Sequence, residues 1–354
     1  MNENTRRQFM KMSGATAATA ISVPGVGIAQ KRSSDAGWTE AKSPTTKTLH
    51  GVVDTAEGPF AVGSGGDVLA RRQSGWQKVV EYGPMARSRP LTAVDVTSDG
   101  KAIWFVGGSG VIGEYDVATE TLTNYSAPKG KTSTWEACSV VGKSGENERL
   151  YFANGSGELL IGVRQKSGAV KYLDVLKPGG GSTIPAIDFR CRKKGHVCST
   201  SQFVAESTNG GTKWQRIGID FAGGAFFDLA SVGPKDVNVA GGGGIVYRYD
   251  GFRWTPHVID PGKQAIRGID RDGEAGLAAG SGGKTYERQS TGEWKRFQTP
   301  VSKKLTSIAR GKTHDVAVGS GGTIVERKVN RTSSSLPDTD KTVKQYTTGT
   351  VETV

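Results

Sequence analysis

The chain has 354 residues, of which 51 are glycine, and only 35% of its residues are hydrophobic. This composition suits many tight turns and argues against a helical membrane protein, because no run of about 20 apolar residues is present. The formal net charge of +12 favours acidic partners, such as anionic lipid headgroups, acidic glycans or an acidic protein surface. The alternative is a diffusely basic surface without such a partner.

The N-terminal 29 residues are typical of an export signal. Residues 5–11 read Thr-Arg-Arg-Gln-Phe-Met-Lys, which matches the twin-arginine motif, and an Ala/Thr-rich run follows to Val23. We expect cleavage after Ala29, a linker over residues 30–36, and export by the twin-arginine route to an extracellular or cell-envelope location. The alternative is a disordered basic N-terminus that is not a signal.

From residue 37 to residue 330 the chain repeats one short glycine-rich phrase seven times. The clearest copies are residues 61–66 and residues 317–322, which both read Ala-Val-Gly-Ser-Gly-Gly. The serine of the phrase, or its equivalent, stands at positions 64, 109, 156, 201, 242, 281 and 320, so the copies are 39 to 47 residues apart. This period is typical of a propeller blade of four strands.

Strand patterns flank every copy. Upstream of each copy lies a four-residue pattern, exemplified by residues 49–52, in which the first and fourth residues are hydrophobic, the second varies and the third is mostly small. This pattern predicts an inner strand beside a central channel. A second β-rich run follows the phrase, and several copies then continue into an outer strand marked by tryptophan. The seventh copy lacks this outer strand, while an orphan Gly-Trp-Thr-Glu precedes the first at residues 37–40. The sequence therefore predicts an all-β, seven-bladed β-propeller whose last blade is closed by an N-terminal strand, which leaves no unpaired edge.

The second position of the inner-strand pattern is the candidate lining of the channel. It is occupied by a mixture of side chains that is more diverse than core packing demands, among them His50, Glu136, Arg267 and Thr306. One interpretation is a binding or lyase site at the channel mouth, where loops from all blades converge. The alternative is a wall of polar residues bridged by water.

The three cysteines have two different interpretations. Cys138 takes an inner-strand slot that is hydrophobic in every other repeat, so we expect a small buried hydrophobe. Cys191 and Cys198 would lie opposite each other if a two-residue turn formed at Lys194 and Gly195, and an exported protein permits the resulting disulfide. A metal site using both thiolates and His196 is the alternative, although no fourth ligand is evident.

The same hairpin holds the densest basic cluster after the export signal, formed by Arg190, Arg192, Lys193 and Lys194. One hypothesis is a docking patch for an acidic surface, braced by the disulfide. The alternative is a solvated loop tip, which is what most charge runs are.

Blade four also contains a recognisable turn motif. Ser207, Asn209, Gly211 and Trp214 resemble the Asp-box turn, Ser-x-Asp-x-Gly-x-x-Trp, with asparagine in the aspartate position. With the glycine-rich phrases and tryptophan strands, most of residues 37–330 is similar to the BNR-repeat propellers related to the photosystem II stability and assembly factor. The resemblance implies that the turn stabilises the hairpin between the outer strands. It also implies a non-enzymatic assembly factor that binds a client protein through a basic surface.

Catalysis is the competing function. Asp-boxes also occur in sialidases, but the carboxylate-holding arginines and the Tyr/Glu pair of that chemistry cannot be placed. The four histidines are scattered over four blades, so their spacing indicates neither a metal cage nor a catalytic triad, and no glycine-rich phrase is followed by the Lys-Ser/Thr of a phosphate loop. We therefore predict no metal and no cofactor. We also predict no nucleic-acid binding, because the protein is expected outside the cytoplasm and its sequence has no strand motif that interleaves aromatic and basic residues.

Residues 331–354 are rich in serine and threonine and poor in large apolar residues, so we expect a flexible tail. The sequence as a whole predicts an exported, monomeric scaffold that docks to a protein or an anionic envelope component. The alternative is a secreted glycan-acting hydrolase or lyase with a site at the channel mouth.

Overall fold

The computed structural model describes residues 37–219 and 222–331. The predicted export signal and linker lie outside the described residues, as does the tail from residue 332 onward. Arg331, which we expected to begin the tail, is instead attached to blade 7, because its backbone N–H donates to the carbonyl of Lys312 and its guanidinium pairs with Asp315. None of the helices in the described part is long and apolar enough to cross a membrane.

Seven antiparallel four-stranded sheets follow one another along the chain, which confirms the predicted seven-bladed β-propeller. Six blades are built from four consecutive strands with the first strand innermost. Blades 1 to 3 contain β2 (Leu49–Thr55), β3 (Gly58–Gly63), β4 (Val68–Arg72) and β5 (Gly75–Val80); β6 (Leu91–Val96), β7 (Ala102–Gly107), β8 (Ile112–Asp116) and β9 (Thr121–Asn124); and β10 (Trp135–Lys143), β11 (Glu146–Asn154), β12 (Leu159–Arg164) and β13 (Val170–Tyr172). Blades 4 to 6 contain β14 (Ala186–Phe189), β15 (Gly195–Cys198), β16 (Val204–Ser207) and β17 (Gln215–Gly218); β18 (Phe226–Gly233), β19 (Asp236–Gly241), β20 (Ile245–Tyr249) and β21 (Trp254–Val258); and β22 (Ile266–Asp272), β23 (Ala275–Gly280), β24 (Lys284–Ser290) and β25 (Glu293–Gln298).

Blade 7 is completed from both ends of the chain. Its inner three strands are β26 (Leu305–Ala309), β27 (His314–Gly319) and β28 (Ile324–Lys328), and its outer strand is β1 (Thr39–Glu40). Thr39 pairs with Glu326 and Glu40 with Val325. Beside this pairing Trp38 is fully buried, so the N-terminal segment supplies a core side chain as well as a strand.

The glycine-rich phrase forms the turn between the second and third strands of a blade. In blades 1, 2, 5, 6 and 7 it is a three-residue 3-10 turn. In blade 1 Gly66 has a φ of 78°, and a side chain there would collide with the backbone of Tyr82 and Gly83. Only glycine both adopts a positive φ without strain and leaves room for the neighbouring backbone, which explains why the phrase repeats.

Blades 3 and 4 replace that turn with side-chain hydrogen bonds. The amide oxygen of Asn154 accepts the backbone N–H groups of Ser156 and Glu158, and the hydroxyl of Ser199 accepts those of Ser201 and Phe203. The degenerate copies of the phrase thus keep the turn with different chemistry.

The hydrophobic core lies between neighbouring blades rather than at one centre. A representative cluster joins Trp104 of blade 2 with Trp135, Cys138 and Phe152 of blade 3. Cys138 is buried there, as predicted, and burial raises the pKa of its thiol well above the usual range.

The inner strands of adjacent blades are linked by side chains that reach into the next blade. In blade 2 Asp95 accepts the backbone N–H of Val140 in blade 3, and equivalent bonds occur at six of the seven blade junctions within the described residues. The other five acceptor and donor pairs are Ser139 with Phe189, Asp188 with Ser231, Asp228 with Ile269, Asp270 with Arg310, and Ser307 with Val52. Because an inner strand has no ladder partner on its channel side, these bonds satisfy N–H groups that would otherwise remain unpaired.

Candidate functional site

Two openings of the propeller bear the predicted site residues. We call the face on which the seven inner strands begin the upper face, and the face on which they end the lower face. The glycine-rich turns lie on the upper face, since they follow a strand that runs back from the lower one. The turn between β14 and β15 therefore belongs to the lower face.

The basic cluster lies in that turn, residues 190–194, which we call the basic loop. Arg192 and Lys193 are exposed, while Arg190 and Lys194 are half-buried. Within the described residues none of the four lies within ion-pair distance of a carboxylate, although the charge of Arg190 opposes the increase in the pKa of Asp188. The loop thus carries four cations that have no ion-pair partner among these residues.

The register of the hairpin corrects the predicted disulfide. The last pair before the turn is Phe189 with Gly195, and Cys198 lies opposite Ala186, so the two-residue turn at Lys194 and Gly195 is wrong. Cys191 falls inside the basic loop instead of facing Cys198, and both thiols are free. The turn closes through the N–H of Lys194, which donates to the carbonyl of Cys191.

His196, which the alternative metal site would combine with the two cysteines, is buried at the junction between blades 4 and 5. Its Nδ1 lies 2.7 Å from the Ser231 hydroxyl, and burial lowers its pKa to about 4. The described residues contain no group of three or more His, Cys, Asp or Glu side chains arranged to hold a metal ion.

The Asp-box-like turn lies against the basic loop. The hydroxyl of Ser207 accepts the N–H of Gly211 at 2.9 Å, and the Asn209 amide oxygen accepts that of Lys213 at 2.9 Å. Asparagine therefore supplies the acceptor that aspartate would. Trp214 donates from Nε1 to the carbonyl of Gly211 and packs edge-on against Phe189.

Two contacts hold the backbone of the basic loop in place, and a third holds the side chain of Arg192. Gly210 donates its N–H to the carbonyl of Lys193 at 2.8 Å, and the Tyr151 hydroxyl lies 3.5 Å from the carbonyl of Arg192. The guanidinium of Arg192 bonds to the carbonyl of Asn147 in blade 3. Because the loop is fixed on two neighbouring turns, its backbone has little conformational freedom left to lose on binding.

Arg149 is a fifth cation at this site that the sequence analysis did not identify. It donates to the carbonyl of Gly210 at 2.5 Å and to the Tyr151 hydroxyl at 3.0 Å. The only local signal was its place two residues before Tyr151 in β11, and the contact with Gly210 spans 61 residues of sequence.

The channel brings the second set of predicted residues together. His50, Glu136, Arg267 and Thr306 all line one cavity of about 770 Å³, and each is the second residue of its inner strand, at the upper opening. Thr306 donates its hydroxyl to the carbonyl of Leu49 in blade 1 at 2.6 Å, so it is a blade-to-blade link. The Nε2 of His50 lies 3.0 Å from the Ser64 hydroxyl.

Glu136 and Arg267 differ from these two because their charged groups have no hydrogen-bond partner within the described residues. Burial alone raises the pKa of Glu136 and lowers that of Arg267. The guanidinium of Arg267 lies over the ring of Phe227, 4.0 Å from its centroid, and its Nε is buried without a partner. The two residues belong to blades 3 and 6, on opposite sides of the ring.

Deeper in the channel lies a group of aspartates that the sequence analysis did not single out. Burial raises the pKa of Asp95 and of Asp228 to about 7, and that of Asp188 to about 6. Each carboxylate accepts a backbone N–H from the next blade. This hydrogen bond lowers the carboxyl pKa, but by less than burial raises it.

No protein-family model and no curated protein sequence matches the chain, so the resemblance to the BNR family remains a prediction. Among solved structures, the chain is similar to YCF48 from Cyanidioschyzon merolae, with a TM-score of 0.64 and 15% identity over 83% of this chain and 99% of that one. Virginiamycin B lyase from Staphylococcus aureus gives a TM-score of 0.66 at 14% identity, covering 82% of this chain and 99% of the lyase. The WD40 propeller of Doa1 gives 0.63 at 12% identity, covering 81% and 94%. At such low identity these similarities show the propeller fold alone.

Proposed function

We propose that this propeller is a non-catalytic scaffold that docks, as a monomer, to an acidic surface of a partner protein through the basic loop. The observation that carries the proposal is the combination of charge and rigidity in residues 190–194. Four cations without an ion-pair partner are held on a backbone that is fixed by Gly210 and Tyr151, and the Arg192 side chain is held by the carbonyl of Asn147. Such charge on a preorganised loop favours association with a surface of opposite sign.

The proposal includes export by the twin-arginine route, which rests on residues 5–11 of the sequence. Neighbours in fold are compatible with either class of function, since WD40 propellers and a lyase are both among them. The choice between the classes therefore depends on the site.

An enzyme acting on a glycan in the channel is supported less well. The carboxylates deep in the channel accept backbone N–H groups of neighbouring blades, so they serve the ring's own hydrogen bonding. Glu136 is the unengaged carboxylate at the upper opening, and a second acidic group beside it would be needed for paired acid and base catalysis.

The test is in-cell crosslinking of the tagged full chain, with captured proteins identified by mass spectrometry. Wild type is compared with a variant in which Arg190, Arg192, Lys193 and Lys194 are changed to glutamine. The matched control changes four exposed cations elsewhere to glutamine, which are Lys42, Lys101, Lys171 and Lys328.

We expect one dominant partner that is captured by wild type and the control but lost from the loop variant. Its binding to purified wild type should weaken with added salt, because exposed charges are screened. Equal capture by all three proteins, or a partner whose affinity is insensitive to both salt and the loop variant, would contradict the proposal.

A further inference from the structure

We propose that the upper opening of the channel is a second, separate site, which binds a small molecule through a single oxyanion, a carboxylate or a phosphate, held by the guanidinium of Arg267. This site lies on the face opposite the basic loop. It does not depend on the docking function, and it concerns a different class of ligand.

The geometry of Arg267 is the first argument. Its guanidinium carbon lies over the ring of Phe227, 4.0 Å from the ring centroid, and this cation–π contact restrains the group. Its Nε is buried and has no hydrogen-bond partner within the described residues. Arg267 lines the channel cavity, and the planar fork of donors of a guanidinium matches the two oxygens of a carboxylate or phosphate.

The uncompensated charge of Arg267 is the second argument. The neighbouring channel carboxylates are directed elsewhere, since Asp228 accepts the N–H groups of Leu229 and Ile269 and Asp270 accepts that of Arg310. Desolvation is accordingly the one influence on the pKa of Arg267, which it lowers. A half-buried cation without a counterion is costly, and an anionic ligand would offset that cost.

The channel offers room for such a ligand. The cavity of about 770 Å³ lies within the size range of small-molecule sites. Thr306 and His50 already use their side chains within the protein, so they shape the opening without competing for the anion. Glu136 belongs to blade 3, on the opposite side of the ring from Arg267 in blade 6, and makes no ion pair with it.

Exposed cations also lie on the upper face. They lie in the connections that lead into the inner strands of four blades, and they are Arg87, Arg89, Lys177, Lys263, Lys303 and Lys304. An excess of positive charge on the face that holds a cleft raises the local concentration of anions and their association rate. The upper face therefore attracts anions, and Arg267 provides the point at which one is held.

Calorimetric titration tests this with two separate probes, inorganic phosphate and D-glucuronate, at fixed ionic strength. We expect saturable binding of at least one probe to wild type, and the probe that binds identifies phosphate or carboxylate as the ligand class. Arg267→Gln should weaken binding at least about tenfold, the loss of a charge-assisted hydrogen bond. Arg89→Gln, which removes an exposed charge from the same face, should change it less than about twofold.

Two controls keep the result interpretable. Arg267→Lys retains the charge but loses the fork, so it should bind more weakly than wild type, and near-ultraviolet circular dichroism checks that both Arg267 variants are folded. The variant neutralised at the basic loop should bind phosphate or glucuronate as wild type does. The proposal is overturned if wild type binds neither probe saturably, or if folded Arg267→Gln binds as tightly as wild type.

Discussion

The carboxylate of Asp95 in blade 2 accepts the backbone N–H of Val140 in blade 3 at 2.7 Å. Asp188 and Asp270 occupy the corresponding inner-strand position and bind Ser231 and Arg310 of the blades that follow them, each at 2.7 Å. The channel wall is thus fastened by carboxylates, although their charge is costly at this depth. This arrangement makes stability depend on pH.

We expect the channel aspartates to destabilise the fold as pH rises. A carboxyl whose pKa is about 7 when folded, as for Asp228, and about 4 when unfolded binds more protons in the folded state between these values. Its contribution is therefore most favourable below about pH 4 and is lost by about pH 7, and a shift of this size corresponds to a cost on the order of 4 kcal/mol for Asp228. Asp228→Asn keeps an oxygen acceptor without the charge. Urea unfolding at pH 5 and pH 8 should show a smaller loss of stability for this variant than for wild type.

The control for this experiment is Asp250→Asn. Asp250 lies in an exposed turn, where hydrogen bonds from Arg253 and Phe252 lower its pKa, so its removal should not reduce the loss of stability at pH 8. If Asp228→Asn and wild type lose equal stability between the two pH values, the channel carboxyls do not titrate as stated.

Ring closure should depend on Trp38. This side chain is fully buried in a cluster with Leu305 and Phe297, and the guanidinium of Arg327 lies 5.2 Å from its ring. Trp38→Ala should lower the free energy of unfolding by about 3–5 kcal/mol, because a large buried aromatic is removed.

Phe252→Ala is the matched control for Trp38→Ala. This phenylalanine is 85% exposed, so its loss should change stability by less than about 0.5 kcal/mol. Similar unfolding midpoints for the two variants in urea would show that the N-terminal strand does not close blade 7.

The three thiols should react differently with iodoacetamide. Cys191 is half-buried in the basic loop, whereas Cys138 and Cys198 are buried and have pKa values well above the usual range. Because the thiolate is the reactive form, the native protein should be alkylated at Cys191 first and at all three positions only after unfolding. Peptide mapping under non-reducing conditions would instead reveal a linked pair if Cys191 and Cys198 formed a disulfide.

Export should require the arginine pair at positions 6 and 7. Changing both to lysine preserves charge but removes the motif, so the precursor should accumulate in the cytoplasm, as measured by fractionation and immunoblotting. Exchanging Lys31 and Arg32 for each other leaves the motif intact and should not affect export. Unchanged export of the double-lysine variant would mean that the N-terminus is not a twin-arginine signal.

The propeller could be predicted because its determinants are local and recur. Gly66 and its equivalents are imposed by a turn that admits no side chain, and the orphan Trp38 indicated where the ring closes. The basic loop was predicted as a cluster of charge, but its shape was not. The Lys194–Gly195 pair suggested a tight turn, whereas packing of Phe189 against Tyr151 and Trp214 sets a longer one.

The remaining features of the two sites depend on contacts between distant parts of the chain. Arg149 reaches the basic loop through Gly210, and the role of Asp95 depends on the N–H of Val140, 45 residues away. The shared spacing of Asp95, Asp188 and Asp270 after the channel position was visible in the sequence. Its meaning required knowing that neighbouring inner strands leave N–H groups unpaired.

The pairing of β1 with β28 also sets the order of assembly. Thr39 and Glu40 are synthesised first among the strand residues, but their partners Glu326 and Val325 are synthesised nearly 290 residues later. A chain interrupted before Ile324 leaves the N-terminal strand unpaired and Trp38 without its complete pocket. The N-terminal end of the domain therefore becomes structured only when the last repeat exists. A truncated product differs from a finished one at its N-terminus, where the first strand is unpaired.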